Sequence, residues 1–358
     1  MKNNRYLTTL IIYGTSILLL MLVQLLASLG CFNALSDQML EVVGSVIPQI
    51  IVMLGIPLVM LLVKQKINHE PVSIKQIGKD VGWQKMPLKN IFLCFVLGVC
   101  LYLLNIFVAS IFGNILRSFG YQFNSSDNAF SGYSGLIISL VLTAVLPAVC
   151  EEFLHRGVLL NGMMRQFGVR KAILWSSLLF GLMHMNVGQF FYATVLGWFM
   201  AVTALSASSL WGSMIVHFTN NALATYFSFA EELKLPGTDL ISFLFGNAVS
   251  LVLTILVVVI VIGEILRHMA RDKFKRNLDS YTVRYLASQT RFTTEDFEQL
   301  KIVLPKAIQT LPTWKATAAY IETFYRPQKV KPLERALLTS IFVVAAMVTV
   351  LSFVWGTW

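Results

Sequence analysis

Charged side chains are scarce in this sequence. Only 13% of its 358 residues are Asp, Glu, Lys or Arg, whereas 56% are hydrophobic and the mean hydropathy is +0.70. Soluble globular domains carry roughly a quarter charged residues, so the composition excludes an ordinary soluble protein. The sequence therefore predicts an all-α polytopic membrane protein, a helical bundle that crosses the bilayer several times.

Cysteine is rare as well, and its spacing is uninformative. Four cysteines lie in or at the ends of apolar stretches, without the spacing of a metal site or a disulfide framework. We interpret them as core residues: Cys31, Cys94, Cys100 and Cys150. Internal repeats, low-complexity segments and basic stripes interleaved with aromatics are also missing, so no nucleic-acid partner is expected.

Long apolar runs, in contrast, are abundant. A helix needs about 20 apolar residues to cross a hydrocarbon core of roughly 30 Å. About eight or nine transmembrane helices are predicted, and the division of 172–207 decides the count. The approximate spans are 7–31, 42–63, 90–116, 133–150, 172–187, 189–207, 211–229, 240–266 and 336–357.

The chain divides into three parts by composition. Residues 1–266 are predicted to form the membrane domain, and 336–358 a C-terminal transmembrane helix. The intervening 267–335 is polar, has an excess of basic residues and is interrupted by prolines, with a helix start expected at Thr293. It is either a small cytoplasmic module or a basic connector on the membrane surface.

Basic residues orient the chain in the cell membrane. They precede the first span at Lys2 and Arg5, recur in the 64–89 loop, and follow the fourth span at 165–171. Because basic loops favour the cytoplasmic side, the N-terminus is predicted to be cytoplasmic. The formal net charge of +10 then indicates contact between the protein and an anionic lipid surface.

Ionisable residues interrupt one apolar run, in the stretch PAVCEEFLHRGVLL. A carboxylate at bilayer depth costs about 3 kcal/mol, so such residues usually face the bundle interior and pair. Arg156 follows Glu152 by one helical turn and can neutralise it, which leaves Glu151 free to act as a general base. Pro147 cannot donate to the carbonyl of Thr143 and predicts a kink just before this motif. The alternative is a charge cluster at the cytoplasmic end of a helix.

Two further apolar stretches each contain a histidine motif. His184 follows Phe180 by four residues, and His217 precedes Asn221 by four. A lone histidine in a membrane helix often makes only an interhelical hydrogen bond. However, His217 and Asn221 share one helix face and can direct two donors at a developing oxyanion. Together with a glutamate base, this set favours peptide hydrolysis, and no paired broken helices indicate a transporter.

These motifs resemble those of the CAAX protease and bacteriocin-processing (CPBP, also called Abi) family of intramembrane proteases. The family's Glu-Glu-x-x-x-Arg, Phe-x-x-x-His and His-x-x-x-Asn motifs occur in order, over a core of roughly 90–229. They correspond to Glu151, Glu152 and Arg156, to Phe180 and His184, and to His217 and Asn221. His155 is a departure, because an aromatic residue usually precedes the motif arginine.

The resemblance implies a glutamate-type endopeptidase that acts on a membrane-associated peptide or protein. Glu151 would activate water together with His184, and His217 and Asn221 would stabilise the oxyanion. The supporting residues would be Glu152, Arg156 and Phe180. The resemblance does not choose between a prenylated tail, a bacteriocin leader and a membrane-anchored regulator, and the oligomeric state is not predicted.

Two alternatives stay open at this point. A divalent metal such as zinc could be held by Glu151, His184 and His217. However, the HExxH helix of zinc peptidases is missing, so we expect no cofactor. The second alternative is a catalytically inactive immunity or scaffold protein that keeps the fold without the chemistry.

Overall fold

A computed structural model describes residues 5–123, 128–276 and 330–356. Within these ranges the regular elements are helices and no strand occurs, which confirms the all-α class. The helix start predicted at Thr293 and most of the basic segment 267–335 lie outside the described residues, so the predicted division into domains stays a prediction.

The helices are numbered here in chain order. They are α1 Arg5–Ser28, α2 Asp37–Ile67, α3 Ile74–Asp80, α4 Leu88–Ser118, α5 132–167, α6 Val169–Met183, α7 Val187–Ala207, α8 Leu210–Ser228, α9 Thr238–Phe245, α10 Ala248–Arg276 and α11 Pro332–Gly356. Helix α2 contains a π-helical stretch at Ile47–Gly55, and α5 contains two, at Leu140–Val145 and Phe153–Leu160.

The described part of the chain contains seven helices long and apolar enough to cross a membrane: α1, α2, α4, α5, α7, α10 and α11. The protein is a multi-pass membrane protein, and its described ranges contain fewer such helices than the eight or nine predicted. Helix α6, predicted at 172–187, has only 15 residues, or about 22 Å, which is short for a span. Helix α8, predicted at 211–229, is not one of the seven.

Local chemistry sets the helix boundaries next to the polar motifs. Asn186 begins α7 by accepting a hydrogen bond from the backbone N–H of Gln189, and Ser209 begins α8 by accepting one from Trp211. Gly168 separates α5 from α6 with a φ of 84°, which a side chain would disfavour. These short breaks fold α5, α6, α7 and α8 back on one another.

Helix α8 lies at the centre of this arrangement. It packs against α4, α5 and α7, while α6 packs along α7 and α2 packs against the middle of α5. The polar residues of α5, α6 and α8 therefore face a common interior rather than the lipid. The outer helices α1 and α11 contact each other, and α11 also contacts α6 and α7.

Replacing Gly181 by Ala is expected to destabilise the protein by about 1–3 kcal/mol because it overpacks the α6–α7 contact. An added Cβ would lie 2.8 Å from the backbone oxygen of Phe190 and would collide with the hydroxyl of Thr194. The matched control is Gly263→Ala on α10, where the added Cβ meets nothing within 4 Å. Chemical denaturation in detergent measures both, and equal stability of the two variants would contradict the prediction.

Candidate active site

The centre of the site is a buried ion pair on α5. Arg156 donates from Nη1 to Glu152 Oε1 at 2.6 Å, with both side chains almost fully buried. This confirms the pairing expected from the i,i+4 spacing. Arg156 also donates from Nη2 to the carbonyl of Gly197 at 2.9 Å, so the pair ties α5 to α7.

His217 on α8 lies between the two carboxylates. Its Nδ1 is 3.1 Å from Glu152 Oε1, and its Nε2 is 4.0 Å from Glu151 Oε2. Because an ionised carboxylate only accepts hydrogen bonds, Nδ1 carries a hydrogen and donates to Glu152. The remaining nitrogen faces Glu151, beyond direct hydrogen-bond distance.

Glu151 is not free, contrary to the expectation from helical spacing alone. Its Oε1 accepts a hydrogen bond of 2.8 Å from Nε2 of Gln49 on α2. Its Oε2 is buried and has no hydrogen-bond partner in the described part of the chain. The carboxylate is thus held on one side and available on the side that faces His217.

The ring of Phe180 on α6 contacts three histidines and one arginine. Edge-to-face contacts join its ring to His155, His184 and His217, with centroid separations of 5.0, 5.2 and 5.8 Å. The guanidinium of Arg156 lies 4.4 Å from the centroid of the same ring. Edge-to-face and cation–π contacts are attractive, and the cation–π contact is stronger where water is excluded. Phe180 therefore helps to hold the three histidines and Arg156 in their positions.

His155, the departure from the family pattern, is fully buried behind Glu151. Its Nδ1 is 2.9 Å from the backbone oxygen of Glu151, and its Nε2 is 3.4 Å from the hydroxyl of Tyr13. Tyr13 in turn donates to the carbonyl of Leu179 at 3.0 Å. His155 therefore packs as a ring against Phe180 and also links α1, α5 and α6.

His184 ends α6 and is only half-buried. Its Nδ1 is 2.9 Å from the backbone oxygen of Phe180. No hydrogen bond joins it to Glu151 or His217 in the part of the chain that the structure describes. Its joint role with Glu151 in water activation stays a prediction.

Asn221 is held by a row of amides that crosses α4, α8 and α5. Asn105 donates to Asn220 Oδ1, Asn220 donates to Asn221 Oδ1, and Asn221 donates from Nδ2 to the carbonyl of Thr143, each at 2.9 Å. Pro147 has no N–H for that carbonyl, so the asparagine replaces the missing helical donor. Each Asn amide nitrogen carries two hydrogens, so one N–H of Asn221 is not used by Thr143.

The zinc alternative needs Glu151, His184 and His217 to converge on one ion. Glu151 and His217 lie close together, and His184 contacts the ring of Phe180, which also contacts His217. No group of three or more His, Cys, Asp or Glu in the described ranges is arranged to hold a metal. We therefore derive no catalytic step through a metal.

A cavity of about 290 Å³ lies beside Thr143 and opens at one end of the bundle. Its wall includes the hydroxyl residues Ser139, Thr143 and Thr225, and its mouth includes Glu41 and Asn128. Thr225 lies one turn after Asn221 and donates to its backbone oxygen. Asn221 is thus hydrogen-bonded to two residues of the cavity lining, Thr143 and Thr225.

Sequence reasoning missed Gln49, Tyr13, Asn105 and Asn220. It searched membrane segments for ionisable groups, and three of these four residues are neutral amides. An amide in an apolar run is also costly to bury without a partner. Gln49 follows Pro48 inside such an apolar run, and this position was a sequence signal for a buried polar contact.

A comparison with protein-family models finds a match for one segment of the chain. Residues 133–223 match the family model described as type II CAAX prenyl endopeptidase Rce1-like. This match confirms the predicted resemblance, and the matched segment contains Glu151, His184, His217 and Asn221. No curated protein and no solved structure matches the chain.

Proposed function

From the premise that residues 133–223 carry the Rce1-like family segment, we propose that this protein is an intramembrane endopeptidase. It hydrolyses a peptide bond of a membrane-associated protein or peptide, with Glu151 as the general base and without a metal. The observation that carries the proposal is the carboxylate of Glu151, anchored by Gln49 and with Oε2 facing His217 at 4.0 Å.

The separation between Glu151 Oε2 and His217 Nε2 suits a bridging water. One oxygen atom can lie at ordinary hydrogen-bond distance from two atoms 4.0 Å apart. Glu151 takes a proton from this water as its oxygen attacks the carbonyl carbon. When the C–N bond breaks, Glu151 returns that proton to the leaving amine.

In this proposal, α8 supplies the donors for the oxyanion. His217 presents Nε2 toward the reacting water, and Asn221 has a second N–H beyond the one bound to Thr143. The row of amides that begins at Asn105 holds the Asn221 side chain in place. Hydrogen-bond donors that are fixed before the reaction lower the barrier of acyl transfer. We keep His184 as a second histidine that assists water, at the partly exposed end of α6.

Charge balance supports the same assignment. Glu151 and Glu152 bring two negative charges into the bundle and Arg156 brings one positive charge. His217 donates from Nδ1 to Glu152, so the carboxylate that pairs with Arg156 has a second donor. Glu152 is therefore the compensated carboxylate, which leaves Glu151 for the role of the base.

The burial of Glu151 supports a membrane-associated substrate. Glu151 is only 6% exposed and lies on a helix long enough to span the bilayer, so a substrate must enter between helices. The cavity offers room for an extended segment next to Thr143, whose carbonyl accepts a hydrogen bond from Asn221. We retain a cytoplasmic N-terminus as part of this proposal, from the basic loops.

The test is cleavage by the purified protein in liposomes. Membrane-anchored fluorogenic peptides, including one with a prenylated C-terminal CAAX sequence, are incubated in water enriched in ¹⁸O, with and without a chelator. We expect one ¹⁸O in the new carboxylate and equal rates in chelator. Loss of activity in chelator with recovery in zinc would overturn the metal-free mechanism, and equal product from parent and Glu151→Gln protein would overturn the assignment of the base.

A further inference from the structure

Gln49 is a polar residue in a place that favours apolar ones. It lies in the π-helical stretch Ile47–Gly55 of α2, between Pro48 and an aliphatic run. A buried amide costs free energy unless it is hydrogen-bonded. Its bond to Glu151 is 2.8 Å long, whereas its Oε1 is buried and has no partner in the described ranges. The hydrogen bond to Glu151 is therefore the interaction that compensates for placing the Gln49 amide in this apolar run.

The bond to Gln49 restricts the rotation of the Glu151 carboxylate. A glutamate has three side-chain torsions, and the last one rotates over a broad range. A donor on Oε1 orients the carboxylate plane and thereby directs Oε2 toward Nε2 of His217. A base that must take a proton from one water needs this orientation, since small misplacements lower rates strongly.

Helix α2 lies outside the family segment 133–223, yet it supplies this contact. The π-helical stretch packs against the part of α5 that carries Glu151. A polar side chain from α2 thus reaches a site whose proposed catalytic residues belong to α5, α6 and α8. The segment that matches the family is not the whole site.

We propose that Gln49 is a positioning residue that holds Glu151 in its reactive orientation. The inference rests on the proposed function for its catalytic consequence, and on the hydrogen bond alone for its structural part. Gln49 acts through Glu151 and makes no contact with the reacting atoms.

The experiment compares Gln49→Met and Gln49→Glu with the parent in the liposome assay. Methionine keeps the length of the side chain without a donor, and glutamate keeps its shape but replaces the donor by an acceptor. We expect kcat to fall roughly tenfold to a hundredfold in both variants while KM changes by less than about twofold. The matched control is Gln65→Met on the same helix, because Gln65 is a buried glutamine that bonds to the backbone of Ser73. Its kcat should equal that of the parent.

A thermal double-mutant cycle tests the contact without using activity. Gln49→Met and Glu151→Met are made singly and together, and the unfolding midpoint Tm is measured in detergent. We expect the two shifts in Tm to be non-additive, because each single change leaves the other partner unsatisfied. Additive shifts would overturn the proposal.

The kinetic outcomes are equally decisive. If Gln49→Met has the same kcat as Gln65→Met, Gln49 is not a positioning residue. A change confined to KM would also contradict the proposal, because it indicates a residue that binds substrate. If the parent hydrolyses nothing, the proposed function fails, and non-additive Tm shifts still establish that Gln49 fixes the carboxylate.

Discussion

Replacing Glu151 by Gln is expected to lower kcat by roughly a hundredfold to ten-thousandfold, the usual contribution of a general base. The amide cannot accept a proton from water, but it keeps the size of the side chain. Its oxygen can still accept the hydrogen bond from Gln49. Activity should therefore collapse while the folded structure persists, and cleavage rates with Tm on the same preparation measure both.

The matched control is Glu264→Gln on α10. Glu264 is an exposed glutamate in an apolar helix and pairs with Arg267 at 2.9 Å, remote in sequence from the motifs of α5 and α8. This variant should cleave at the parental rate. Full activity in Glu151→Gln would contradict the role of Glu151 as the base, and a joint loss of activity and of Tm would indicate a structural role for the carboxylate.

Replacing Arg156 by Met is expected to destabilise the protein by about 3–5 kcal/mol, the cost of leaving a buried charge without its partner. Glu152 is fully buried, and Arg156 and His217 both donate to it. Arg156 also holds the carbonyl of Gly197 and packs on Phe180, so three helices lose a common contact. Titration with a denaturing detergent measures the loss.

Two comparisons isolate the charge effect. Glu152→Gln together with Arg156→Met removes both charges and should recover part of the stability lost in Arg156→Met. Arg267→Met breaks the exposed pair with Glu264 and should cost less than about 1 kcal/mol. A double variant no more stable than Arg156→Met would show that the cost is lost packing rather than an unpaired charge.

Several features of the fold were readable from local sequence because they depend on local physics. Apolar runs of about 20 residues predict helices that can cross a bilayer, and the class is confirmed. The span count was less secure because it depends on helix ends. Gly168 and Asn186 restrict α6 to 15 residues, and the polar residues of α8 fit a helix surrounded by other helices.

The candidate site was partly readable for a similar reason. Helical spacing places Arg156 beside Glu152, and their ion pair is observed. Spacing also puts His217 and Asn221 on one face, but it does not indicate what each side chain binds. Their donors go to Glu152 and to the carbonyl of Thr143, partners that belong to another helix.

The sequence by itself determined that this chain is a helical membrane protein with Glu151, Glu152 and Arg156 on one helix and two histidine motifs on others. Composition and i,i+4 spacing act within a single helix, so they require no knowledge of the packing. Only the tertiary structure decided that Gln49 orients Glu151, that His217 lies between the two carboxylates, and that Phe180 joins three histidines. These contacts connect residues 30 or more positions apart in many cases because packing of whole helices, rather than local geometry, brings them together.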